Sequence, residues 1–124
     1  MQSVTPSAAD AARKMFHLDK TCASDVFCTV ASSDFDAIPA GTDITYVKSD
    51  PWIGLVYPTI VVAGGSTTGV CDWNQPPGSV LAKCTFQTGT GELSQFNLAV
   101  DVTVTGDPAS PDAVWHWDGT YSLD

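Results

Sequence analysis

The residues best suited to chemistry in this chain are aromatic rings, some carrying a polar tip. Trp115, Trp117 and Tyr121 stand at even spacings in the closing stretch AVWHWDGTYSLD, residues 113–124, and Tyr46, Tyr57, Trp73 and Phe86 precede them, with Trp52 and Phe96 completing the set. Rings of this kind gathered around a hollow make an apolar wall, with indole N–H and phenol O–H groups left to orient an occupant. The same rings can equally fill the inside of a small fold, so both uses stay open at the level of sequence.

Other chemistries find little support. His17 and His116 are the only histidines, and GGSTTG is not a G-x-S-x-G elbow, so no Ser-His-Asp arrangement is read here. The chain has no H-E-x-x-H, no P-loop, no EF-hand loop and no complete G-x-G-x-x-G. The aspartates of SSDFDA and GDPASPD offer oxygen ligands of the type calcium uses, but aspartate also opens turns, and that is the reading adopted. No cofactor, no metal and no catalytic residue is assigned from sequence.

Cysteine use narrows the setting. Cys22 with Cys28 and Cys71 with Cys84 form two local pairs without zinc-type spacing, which points to disulfides and to an oxidising, extracellular compartment. Four cysteines allow three connectivities. For the second pair, the turn NQPPGS lies midway, so a symmetric hairpin sets Cys71 opposite Cys84 and Asp72 opposite Lys83. Opposed residues at a non-hydrogen-bonded site are close enough to bridge, and Asp72 with Lys83 is expected to form an exposed ion pair. If the protein is exported, Met1 stands where a leader has been removed. No N-x-S/T acceptor occurs, so N-glycosylation is not expected.

Bulk composition sets further bounds. The 124 residues carry 44% hydrophobic residues and a net charge of -9, which fits a single core and disfavours nucleic acid and anionic lipid surfaces as partners. No apolar run approaches the roughly 20 residues a membrane helix needs, and a soluble protein is expected.

The elements that must position the rings are strands. FCTVASS, TDITYVK, IGLVYPTIVVA, TGVCDW, SVLAKCTFQT, SQFNLAVDVTVT and AVWHWDGTYSL are rich in β-branched and aromatic residues and are separated by Gly- and Pro-marked turns. In the sixth, Phe96, Leu98, Val100, Val102 and Val104 alternate with polar residues, fixing the inner face. Val80, Ala82, Cys84 and Phe86 face inward by the same rule. In the last segment Trp115, Trp117, Tyr121 and Leu123 share the inner face, leaving His116, Asp118, Thr120 and Ser122 outside. TPSAADAARKMF, residues 5–16, reads instead as a short helix, and with Arg13, Lys14 and Lys20 it makes residues 1–20 a basic N-terminal arm preceding a β domain over residues 21–124.

Short connections between strands require an antiparallel sheet. Cys28, Trp52 and Cys84 occur in the order found in immunoglobulin domains, but Ala82 occupies the tyrosine-corner position, and a closed meander, which has no edges, suits the chain better.

TGTGELSQF, residues 88–96, followed after one strand by WHWDGTYSL, resembles the G-T-G and closing W-D-G-T-Y segments of small bacterial secreted proteins of the allene oxide cyclase and dirigent superfamily. CTVASSDFDAIPAGTDITYV matches more loosely, and the main resemblance covers roughly the last third of the chain. It implies an all-β closed barrel of about eight antiparallel strands whose lumen holds one small hydrophobic molecule, and a use as isomerase, cyclase or guide of a reactive intermediate. Leu93 stands where that motif more often has Phe, and Glu92, the only glutamate, falls in the turn, so no cyclase carboxylate transfers to it. The combined expectation is a secreted, disulfide-stabilised barrel, possible as a homo-oligomer, with Tyr46, Tyr57, Trp73, Phe86, Trp115, Trp117 and Tyr121 around its lumen. The alternative is a non-catalytic secreted binding protein with a filled barrel and acidic loops.

Overall fold

A computed structural model describes residues 13–123. Eight strands follow one another around a closed barrel: β1 (Lys14–Ser24), β2 (Phe27–Ser33), β3 (Asp43–Lys48), β4 (Leu55–Val62), β5 (Gly65–Asp72), β6 (Ala82–Gly91), β7 (Asn97–Thr105) and β8 (Val114–Ser122). Each pairs antiparallel with the next, and β8 returns to pair with β1. Closure leaves no open sheet edge among the described residues.

Seven of these strands coincide with the β segments read from sequence; β1 does not. Lys14, Met15 and Phe16, expected at the end of a helix, are strand residues, and among the described residues there is no helix. The rest of the expected helix, through residue 12, lies outside the described residues. Residues 14–20 are therefore barrel wall rather than arm. A strand wins here because Phe16 and Leu18 alternate with His17 and Asp19, and burying Phe16 and Leu18 completely inside the barrel outweighs local helix propensity.

The barrel has a filled end and a hollow end. In an antiparallel meander the odd-to-even hairpins lie at one end and the even-to-odd ones at the other. At the second of these ends the β2–β3 connection contributes Phe35 and Ile38, and the β6–β7 connection contributes Leu93 and Phe96, all buried. Phe35 stacks on Phe96 at 5.4 Å between centroids, and Phe16 and Tyr121, edge-on to each other, pack at a tilt beside them. Each such ring removed from water contributes roughly 2 kcal/mol, so this plug anchors the closed end.

The glycines of the G-T-G segment have a defined task. Gly89 and Gly91 pair with Thr67 and Gly65 of β5, so tightly that a Cβ on either would collide with the backbone across from it. Gly91 also has a positive φ of 60°, which turns the chain into the plug.

Inner-face alternation holds along β6 and β7, where Ala82, Cys84, Phe86, Leu98, Val100 and Val102 are buried. At the end of β8 it fails: Ser122 is buried and Leu123 is half exposed, because the strand stops at Ser122 and pairing no longer fixes the direction of the next side chain. The β5–β6 register is as expected, with Cys71 opposite Cys84 and Asp72 opposite Lys83. The expected ion pair is not formed. Lys83 reaches the neighbour on its other side, Asp101, at 3.4 Å, while Asp72 accepts from the backbone and side-chain nitrogens of Asn74. A turn-closing hydrogen bond two residues away costs less chain entropy than a cross-strand pairing of an exposed lysine.

Candidate functional site

At the hollow end, the interior opens into a cavity of about 530 Å³. Its walls come from the β1–β2, β3–β4, β5–β6 and β7–β8 hairpins, and Pro108–Pro111 of the β7–β8 loop border it. That loop is ordered by aspartate, as read from sequence: Asp107 Oδ1 accepts from Ala109 N at 2.9 Å, and Ser110 N bonds back to the Asp107 carbonyl.

Of the seven ring residues expected around the lumen, four line this cavity: Tyr46, Trp73, Trp115 and Trp117. Trp117 is buried at its base against Phe86, and Trp73 meets Trp115 edge-on at 6.0 Å nearer the mouth. Trp52 also reaches the cavity, with more than half its surface exposed. The other three lie elsewhere. Phe86 is fully buried core, and Tyr121 belongs to the plug at the opposite end, where it borders a separate polar hollow with Asp34, Asp36 and Glu92. Tyr57 is an outer-face residue, 38% exposed, paired with Val47 across β3–β4. Its position is odd relative to Val56 and Pro58, and those two are the buried neighbours.

Both disulfides form, Cys22–Cys28 and Cys71–Cys84, with no free cysteine. All four cysteines touch the cavity. They present soft apolar sulfur to its wall and pin two of the hairpins that frame the opening.

One residue of the site was not singled out in the sequence. Lys20, assigned there to a basic arm, enters the interior from β1 and is only 4% exposed. Opposite it on β2 the register slips, with Asp19 facing Ser32 and Lys20 facing Val30, so Ala31 is an extra residue in a bulge. On its other side Lys20 is opposite Trp115. Its Nζ sits 5.2 Å from the ring centre of Tyr46, 5.3 Å from that of Trp117 and 5.6 Å from that of Trp115. The Sγ atoms of Cys28 and Cys22 lie 3.6 and 3.8 Å away. Among the described residues no carboxylate pairs with it. Burial without a counter-charge pushes the ammonium down to about 7, and burial likewise drives the Tyr46 phenol upward, so it stays a neutral O–H donor. Period-2 spacing through Phe16, Leu18, Lys20 and Cys22 was the available signal for Lys20 pointing inward.

Directly behind Lys20, on the outer face, the two histidines of the chain meet. Asp19 Oδ1 accepts from His116 Nδ1 at 2.6 Å and from His17 Nε2 at 2.9 Å, and His17 Nδ1 contacts the Asp118 carboxylate. His116 Nε2 is 2.7 Å from Thr105 Oγ1, and Ser32 donates to Asp19 Oδ2. The Asp118 hydrogen bond raises the His17 pKa. For Asp19, burial works upward but is outweighed by bonding to His116 and the charge of His17, so its pKa falls. His17, Asp19 and His116 hold ligand-type atoms within 4.8 Å of one another. Both ring nitrogens of His17 are already engaged by carboxylates, however, Nε2 by Asp19 and Nδ1 by Asp118, so ligating a metal would break one of these contacts. The group acts as a polar rivet across the β1–β8 seam. His116, read as outward, is indeed on this outer face.

The site is thus an apolar, sulfur- and indole-walled chamber with one amine at its base. Compared with family models, with curated proteins and with solved structures, the chain finds no match in any of the three.

Proposed function

We propose that this protein is a secreted barrel that binds a small apolar molecule in its lumen and, as its G-T-G and W-D-G-T-Y segments suggest by their resemblance to allene oxide cyclase and dirigent barrels, promotes an isomerisation or cyclisation of it. The observation that carries the reading is the cavity of about 530 Å³ beside Trp117, Trp115 and Tyr46, which lies in the range of small-molecule sites. A rigid wall of rings and disulfides supplies what such a reaction needs from a protein: one reactive conformation and exclusion of water. Two disulfides accord with an oxidising compartment.

Titration with the neutral fluorophore N-phenyl-1-naphthylamine tests the binding. One saturable site per chain is expected, with quenching of tryptophan emission and displacement by decanol. Absence of saturable binding, or binding that leaves tryptophan emission unchanged, overturns the reading.

A second reading, a non-catalytic protein that docks a partner or another copy of itself, has its own observation. Val47 and its cross-strand partner Tyr57 stand exposed on the outer face of β3 and β4, with Val61 beyond Thr59 on the same face, exposed apolar side chains of the type found at interfaces. Concentration-dependent mass in light scattering, abolished by Val47→Lys, is its expected signature; a constant monomer mass removes the self-association form.

A further inference from the structure

The chamber contains one reactive group whose presence simple ligand packing does not explain. A lysine buried in an apolar lumen with three rings but no carboxylate beside it costs stability, and a use by the ligand accounts for its being there. The groups facing Lys20 are Tyr46 from β3, Trp115 and Trp117 from β8, and the Cys22–Cys28 disulfide from β1 and β2. None of these is an acid that would hold the ammonium in a salt bridge. The charged groups at the mouth, Asp25 and Lys48, are paired with each other.

We propose that Lys20 Nζ condenses with an apolar aldehyde or ketone bound in the lumen, so that the ligand class of this site is a hydrophobic carbonyl compound held as an imine. The proposal rests on the lumen being the binding chamber. The amine lone pair attacks the carbonyl carbon, and the C=O π pair moves to oxygen, which takes a proton to give a carbinolamine. Nitrogen then expels that oxygen as water, its two hydrogens leaving overall with it, and a C=N bond replaces C=O. One water is released and nothing is oxidised or reduced. Protonation of the imine nitrogen draws electrons from the adjacent carbon, the activation that migration of a double bond requires.

Three features favour a carbonyl ligand over a carboxylate. Lys20 lines the cavity, and the cage around it adds no second cation to balance a carboxylate, only the neutral Tyr46 O–H and indole N–H groups. A net charge of -9 repels anions approaching the mouth and is indifferent to a neutral carbonyl. At pH 7 an amine titrating near 7 has roughly a thousandfold larger free-base share than an exposed lysine.

The test uses the full chain with decanal at pH 7, followed by borohydride and peptide mass mapping, alongside decanol titration by tryptophan fluorescence. The expected result is a reduced decyl adduct on Lys20 at a level well above Lys14, Lys48 and Lys83, abolished in Lys20→Met and in Lys20→Arg while circular dichroism stays that of the barrel. Arg keeps the charge but cannot form the imine, so the pair separates chemistry from folding. Decanol binding without a Lys20 adduct, or equal labelling of all lysines, overturns the imine and leaves the binding chamber standing. Decanoate binding tighter than decanol, lost in Lys20→Met and without a decanal adduct, also overturns it, in favour of an ion pair. If neither decanol nor decanal binds, the chamber itself is refuted.

Discussion

Asp19 and His116 face each other across the β1–β8 seam with 2.6 Å between carboxylate oxygen and Nδ1, and the residue after Asp19 is the lysine that enters the lumen. Outside and inside of the same strand thus carry opposite solutions to the same problem: the outer charges are fully paired, and the inner one is caged by rings. This seam is where the chain closes on itself, so its polar rivet bears on the fold as a whole.

The rivet makes the seam pH-dependent on both sides. His17 titrates above its ordinary 6.5 in the folded state, so its contribution is complete below that value and disappears as pH rises through the raised one. Asp19 titrates below its ordinary 3.8, so its contribution is present above that value and disappears as pH falls through the lowered one. Asp118→Asn removes the main cause of the His17 shift. It is expected to lower Tm most near pH 5 to 6 and least near pH 8, as followed by thermal melts across that range. A Tm difference that grows toward pH 8 contradicts the assignment.

Inside the barrel the expected sign is reversed. Lys20 titrates lower folded than unfolded, so between about 7 and its ordinary 10.5 the unfolded chain binds the extra proton and stability climbs with pH. Lys20→Met deletes that burden. It should raise Tm at pH 6 by roughly 5 °C or more, with the gain shrinking toward pH 9. Loss of stability at pH 6 instead would mean that the three-ring cage compensates the buried charge fully. A stabilising substitution at a functional position is the usual mark of a residue kept for activity.

Most of the barrel was legible because its strands alternate cleanly. Phe96 through Val104 and Ala82 through Phe86 announce an inner face without any knowledge of their neighbours. The Cys71–Cys84 register could be read from the turn between them, since hairpin pairing is local. β1 was hidden for two physical reasons. Alanines just before it favour helix, and the third inward position carries a lysine where the pattern asks for an apolar residue, so the feature that matters most to the site masked its own strand. The seam network was illegible for a different reason: His17 and Asp19 meet His116 and Asp118 only when the last strand returns to the first, a contact set by closure of the whole barrel. Likewise Tyr121 and Trp117 share a face, and only the loops that plug one end decide which of them sees a hollow.

The two disulfides should contribute unequally. Cys71–Cys84 spans a sequence separation of 13 and Cys22–Cys28 one of 6, so loop-closure entropy assigns about 3 kcal/mol to the first and about 2 kcal/mol to the second. Replacing Cys71 and Cys84 together by Ala is expected to lower Tm by roughly 10 °C and the Cys22/Cys28 double replacement by less. Both should weaken binding of the naphthylamine probe, because all four sulfurs border the cavity. Equal melting losses with unchanged probe affinity would show that the bridges neither shape the chamber nor act through chain entropy.

The cup-like division of the barrel predicts that stability and binding separate by position. Phe96 is fully buried in the plug, stacked on Phe35, so Phe96→Ala should cost about 3 to 5 kcal/mol and leave the probe affinity of the remaining folded protein unchanged. Trp73 lies at the cavity, 37% exposed, with one edge-on contact to Trp115. Trp73→Ala should therefore cost less than about 1 kcal/mol of stability while weakening probe binding roughly tenfold, the equivalent of about 1.4 kcal/mol. Urea denaturation and probe titration on the two variants decide the matter. If Phe96→Ala weakens binding as much as Trp73→Ala does, the plug and the chamber are one compartment, and the plugged end does not insulate the site.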